Sequence, residues 1–327
     1  MKLTHPTQRA LQSSTRILAL AGLIAAGTGQ HLHAADKTWD GGGDQVNWSS
    51  PDNWNPSGAP VANDSLFFDG NLGLFSNNDL ASDTDFAGIT FNAGAGSFTL
   101  IGNEVDLVGG VTNLSANLQV ISLNLEHAGG SRTYHVTGDL ILDGAVKQNA
   151  LIKYGPGTIT LAGSVDNPSL RVEVYEGVLA LAKESQRALG GSPIVVSNAG
   201  VIRILGPSTD QIHFNQRVNV ELGGTLDVQS TEEIGTLASV GAVGGIVLNN
   251  SGVPVNLNIG GGRDHRGIFG GSIQDGTGVL NLQLDRDGHV LVLNGTNTYT
   301  GTTLVRNNRT DGAAFGTRLI VNGLHTG

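Results

Sequence analysis

Gly157-Thr158-Ile159-Thr160-Leu161, Gly177-Val178-Leu179-Ala180-Leu181, Gly200-Val201-Ile202-Arg203-Ile204 and Gly224-Thr225-Leu226-Asp227-Val228 repeat one phrase: a glycine, one free position, then two apolar residues that alternate with another free position. Gly245-Ile246-Val247-Leu248 is a looser echo, and the five glycines stand 20, 23, 24 and 21 residues apart. Period-two alternation marks a half-buried strand. A turn-plus-strand unit of this length cannot bury its apolar face alone, so the units must stack on one another. The phrase therefore predicts an all-β fold, a parallel β-helix or β-solenoid. Leu, Ile and Val fill an interior column with coils about 4.8 Å apart, and glycine at the corners admits positive φ or close approach of the next backbone. Coils of about 22 residues over about 230 residues make roughly ten rungs, on the order of 50 Å long. In such a stack a polar residue at Leu226 or Ile159 disrupts several coils.

Composition agrees. Forty-nine glycines, no cysteine, one methionine and 14% charged residues describe strands and tight turns with few helix formers. Aliphatic residues are too abundant for a disordered chain, and glycine lacks the triplet period of collagen.

Residues 1–35 carry Lys2, Arg9 and Arg16 with no acid, followed by the apolar run Ile17 to Ala26. That run is about half of the roughly 20 residues a membrane-spanning helix needs, and small residues follow at Ala34-Ala35, so the segment reads as a signal peptide cut after Ala35 or Ala34. Export normally permits disulfides, yet the chain has no cysteine, which leaves stability to stacking. Without the leader, 15 Lys and Arg face 28 Asp and Glu, a net charge near −13. Such a surface repels nucleic acid and anionic lipid.

Residues 36–70 hold all three tryptophans, Trp39, Trp48 and Trp54, together with Pro51, Pro56 and Pro60. A first coil exposes its apolar end unless something covers it, so this window is expected to be a cap. Residues 71–152 read as irregular first coils, with strands such as Gly88 to Phe91, Val105 to Val108 and Tyr134 to Val136. Residues 153–327 read as the regular coils. Two interruptions are expected there: a short helix over Ala180 to Leu189, stopped by Gly190-Gly191, and a long turn projecting over Gly260 to Gly267.

The segment Gly288-His289-Val290-Leu291-Val292-Leu293-Asn294-Gly295-Thr296-Asn297-Thr298-Tyr299-Thr300-Gly301-Thr302-Thr303-Leu304-Val305 resembles the autotransporter-associated β-strand repeat, also called the passenger-associated transport repeat. Tyr154 to Gly163 is similar to the first half of a second copy. The opening Thr38-Trp39-Asp40-Gly41-Gly42-Gly43, with Asn47-Trp48 and Asn53-Trp54, is similar to the start of many exported proteins with these repeats. The resemblance implies a right-handed β-helical passenger domain at the outer cell surface or released from it. An outer-membrane barrel or sorting tail, which completes such proteins, would lie beyond residue 327.

Chemistry is sparse by comparison. Asp83 with Asp85, and Asp285 with Asp287, alternate and could set two carboxyls about 5–9 Å apart, as a glycosidase requires. Both pairs lie beside turn residues, where aspartate caps its own backbone, and turn chemistry is the expected role. Asp40, Asp44 and Asp64 are candidate calcium ligands at the cap. Trp39, Trp48 and Trp54 are expected to form a buried lid; the other reading of them is a stacking platform for glycan. The histidines lack zinc-site spacing, and no nucleophile elbow, phosphate loop or dinucleotide fingerprint occurs.

The sequence thus leads to an exported scaffold, extended at the cell surface or outside the cell, that adheres to a surface polymer, glycan or protein. It has no assigned catalytic residue and no cofactor. The alternative is a carbohydrate-active β-helix enzyme, a polysaccharide lyase or hydrolase, which needs converging carboxylates in a cleft.

Overall fold

The computed structural model describes residues 34–184, 187–260, 266–285, 288–306 and 316–327. The expected leader lies outside the described residues except for Ala34 and Ala35. From Asp36 onward the chain winds as a parallel β-solenoid of about ten turns. Leu140–Leu142, Val146–Lys147 and Ala150–Tyr154 show the plan of one coil. They pair in parallel with Gln119–Ile121, Leu125–His127 and Arg132–Val136 of the coil before. Three sheet faces therefore stack around a single interior. Among the described residues the one helical segment is the 3-10 turn Pro51–Asn53, and no helix is long and apolar enough to cross a membrane.

The repeated phrase builds the interior. Leu140, Ile159, Leu179, Ile202, Leu226, Val247 and Ile273 are register partners from coil to coil, and every one is fully buried. Ile121, Leu142, Leu161, Leu181, Ile204 and Val228 form a second column two positions along. Burying one such side chain stabilises the fold by ~1.5–3 kcal/mol. Because each residue is covered by the coils on both sides, that gain exists only in the stack.

Corners need different chemistry, because the backbone turns there and leaves N–H and C=O groups without ladder partners. Gly177 sits at one corner with φ +64°, where an added Cβ would lie 2.5 Å from the Gly155 carbonyl oxygen. Elsewhere buried polar side chains reach between coils. Gln119 accepts from the Phe98 N–H and donates to the Gly96 carbonyl. Asn167 accepts from Val146 and donates to Ala188. Gln211 accepts from and donates to the Lys183 backbone. Lys153 donates to the Gly155 and Glu176 carbonyls, and Lys183 to that of Gly144. Burial lowers both ammonium groups to about 8.

The structure departs from the sequence reading at Ala180 to Leu189. Ala180 and Leu181 end the strand Arg171–Leu181, Leu189 forms a parallel bridge to Ile212, and residues 185–186 lie outside the described residues. Helix propensity loses because Leu179 and Leu181 belong to the two interior columns, whose burial outweighs a local preference worth at most ~0.7 kcal/mol per residue. The turn expected over Gly260 to Gly267 falls mostly outside the described residues; Gly267 itself lies in the strand Arg266–Phe269.

Glu232 stands where other corners use an amide: it is fully buried and accepts the Gln211 and Ile212 N–H groups, one on each oxygen. Burial raises its pKa well above the ordinary 4.5. A raised acid stabilises the fold fully below the unfolded pKa and loses that contribution as pH rises through the folded one. Glu232→Gln removes the titration, so Tm of the variant minus Tm of the native chain should increase from pH 4.5 upward in a thermal scan series. A difference that is flat or falls with pH would contradict this reading.

Candidate functional site

The aromatic and calcium candidates singled out in the sequence all lie among the described residues. Trp39 and Trp48 are fully buried and Trp54 is 2% exposed. Trp54 packs edge-on against Trp39 at 5.2 Å and against Trp48 at 5.9 Å between ring centroids, and Trp48 continues onto Phe68 and Phe86. Their N–H groups donate to the Leu72 carbonyl, the Ser76 hydroxyl and the Trp48 carbonyl respectively. This leaves no indole face on which a sugar ring could stack. The strand Asp36–Trp39 pairs in parallel with Ser65–Phe68 on one side and antiparallel with Trp54–Asn55 on the other. The short antiparallel strand thus covers the first edge of the parallel sheet, the exposure that makes edges prone to association.

The three calcium candidates cap separate turns. Asp40 accepts from the Gly42 N–H. Asp44 takes the Val46 and Asn47 N–H groups and the Asn53 amide, bonds that hold its carboxyl far below the usual range. Asp64 is buried and accepts from Ala35 on one oxygen and Val61 on the other.

Among the described residues a different acidic set converges. Asp83, Glu104 and Asp106 each place a ligand-capable oxygen within 4.8 Å of the others. Asp85, Asp106 and Glu126 are in-register partners on three successive strands, and Lys147 follows on the fourth. Burial, then the charges of Glu126, Asp83, Asp85 and Glu104, raises the Asp106 carboxyl. Lys147 places its ammonium 2.5 Å from Glu104 and offsets part of that charge. The expected pairing of Asp83 with Asp85 on one strand face is modified: Asp83 precedes the strand Thr84–Phe86 at φ 60° and donates its N–H to Glu104. Of the second pair, Asp287 lies outside the described residues.

A second feature was not anticipated from the sequence. On the face built from Ser65–Phe68, Gly88–Phe91, Val111–Asn113 and Arg132–Val136, a groove of about 310 Å³ crosses four strands. Phe67, Thr90, Thr112 and His135 line it in register, and Gly88 and Gly110 line it beside them. A Cβ on Gly88 would lie 2.9 Å from the Gly110 oxygen, and one on Gly110 only 1.9 Å from the Thr133 oxygen. Coil packing therefore requires both glycines, because the backbone of the next coil occupies the space a side chain would need. The same row continues past His135 to Tyr154, whose ring stacks on Tyr175 at 5.1 Å and 15°. The signal was present as outward polar and aromatic residues in 65–175, but aligning them requires the coil register.

No protein-family model, curated protein or solved structure matches this chain.

Trp48 joins the cap to the interior, so Trp48→Ala should cost about 3–5 kcal/mol in urea unfolding followed by circular dichroism. A loss under ~1 kcal/mol would show that the indole does not close the stack.

Proposed function

We propose that the chain is an exported, passenger-like β-solenoid that serves as an extended scaffold at the cell surface or outside the cell and adheres there to an extended polymer. One observation carries this reading. The buried ionisable and amide groups Lys153, Lys183, Gln119, Asn167 and Gln211 are all committed to backbone groups at coil corners. These five groups serve the stack. Further support comes from the position of the first strand, Asp36–Trp39, directly after the expected leader cleavage. The resemblance of residues 288–305 to passenger repeats points the same way.

The acidic ladder favours a second reading, a carbohydrate-active enzyme. Asp106 with its raised carboxyl would be the acid, and Asp83 or Glu104, each with an oxygen within 4.8 Å of it, the partner. Reducing-sugar release abolished by Asp106→Asn would support it; polymer binding without product release supports the scaffold.

Fractionation of the source organism, with N-terminal sequencing of the recovered protein, tests the main reading. The expected product lies outside the cell and begins at Ala35 or Asp36. A protein retained in the cytoplasm with its leader intact would overturn it.

A further inference from the structure

The groove and its flanking row allow the polymer to be named by class. We propose that the face carrying Phe67, Thr90, Thr112, His135, Tyr154 and Tyr175 binds a linear, uncharged polysaccharide laid along the solenoid axis. This inference rests on the scaffold reading above and specifies what the scaffold holds.

Four properties of the row decide the class. First, none of the residues lining the groove is Asp, Glu, Lys or Arg. A polyanion such as a nucleic acid or a polyuronate would find no Lys or Arg there, on a chain whose net charge is already −10. Second, the lining is rich in hydroxyls, with Ser65 and Thr133 beside Thr90 and Thr112. Hydroxyls both donate and accept, which suits a ligand whose own groups do the same. Third, aromatic rings stand at both ends of the row. Phe67 begins it, and the stacked tyrosines end it with Tyr154 39% exposed. An aromatic ring offers a flat apolar face at little entropic cost, and the C–H face of a sugar ring matches that surface. The Tyr175 hydroxyl donates to Glu173, which orients that ring from outside the groove.

The fourth property separates a glycan from a peptide. An extended peptide gains affinity by adding a strand to a free sheet edge. Here Gly88–Phe91 pairs on one side with Ser65–Phe68 and on the other with Val111–Asn113, so its backbone is committed. A ligand on this face must bind through side chains, and the side chains supply hydroxyls and rings.

The row also has the right form. From Phe67 through Thr90, Thr112, His135 and Tyr154 to Tyr175 there are five strand-to-strand steps, about 24 Å at the usual spacing. The contact positions recur along the axis at the strand spacing, hydroxyl-bearing in the middle and aromatic at the ends. That periodicity favours a regular, unbranched chain over a compact ligand.

Calorimetry on the full chain with cellohexaose and chitohexaose as neutral probes, and hexagalacturonate as an anionic probe of equal length, tests the inference. At least one neutral hexasaccharide should bind, more tightly than its trisaccharide, and hexagalacturonate should not. Tyr154→Ala should weaken binding about 3- to 10-fold, the loss expected for one aromatic contact. Thr112→Val, which keeps the shape and removes the hydroxyl, should weaken it by a similar factor with an unchanged circular dichroism spectrum. Three results would overturn the inference: no neutral hexasaccharide binds, only the polyuronate binds, or binding is indifferent to both substitutions. An exported protein that fails this test leaves the scaffold reading standing, whereas a cytoplasmic protein removes that reading whatever the calorimetry gives.

Discussion

Coil-to-coil register is the constraint on which the rest of the structure depends. A parallel strand spaced about 4.8 Å from its neighbour places each side chain over the side chain at the same position in the next coil. Apolar must therefore lie on apolar through the interior, as Leu179, Ile202, Leu226 and Val247 do. A slip of one residue would turn every interior side chain of that strand outward. The repeated glycine phrase is the sequence form of this requirement. Its glycine turns the corner, and its two alternating apolar residues enter the two columns.

The same constraint explains where polar groups are buried. Coils of unequal length cannot all turn with the same backbone geometry, and each corner leaves different N–H and C=O groups to be satisfied. Gln119, Asn167, Gln211, Glu232, Lys153 and Lys183 are local solutions to that common problem. A lysine serves where carbonyls converge, and a carboxyl where N–H groups converge. The cap is the solution at the first coil, where three indoles cover the column and Trp54–Asn55 covers the strand edge. Register also acts outside. It aligns Asp85, Asp106 and Glu126 into an acidic ladder on one face and Phe67, Thr90, Thr112 and His135 into a groove on another.

How much of this could be read from the sequence follows from the same physics. Ile159, Leu179, Ile202, Leu226 and Val247 could be placed because their spacing is nearly constant and their alternation is clean. The helix expected at Ala180 to Leu189 failed because local composition hid the register that Leu181 obeys. The acidic ladder was half visible: Asp83 and Asp85 stood out as neighbours in sequence, but Glu104, Asp106 and Glu126 join them only through pairing between coils. The groove was invisible for the same reason. Residues 65–135 lack a regular glycine period, so nothing in the chain alone says that Phe67, Thr90, Thr112 and His135 share a row.

The central claim is that stability resides in contacts between adjacent coils, and a pair of double-mutant cycles tests it most directly. Ile202 and Leu226 are register partners, while Leu100 lies in a coil several turns away, in contact with Ile121 through its strand pairing. Unfolding free energies of the Ile202→Ala and Leu226→Ala single and double variants should show a coupling of at least ~0.5 kcal/mol. Leu100→Ala combined with Leu226→Ala should be additive within about 0.5 kcal/mol. Additivity for the adjacent pair, or equal coupling for the distant one, would contradict the account.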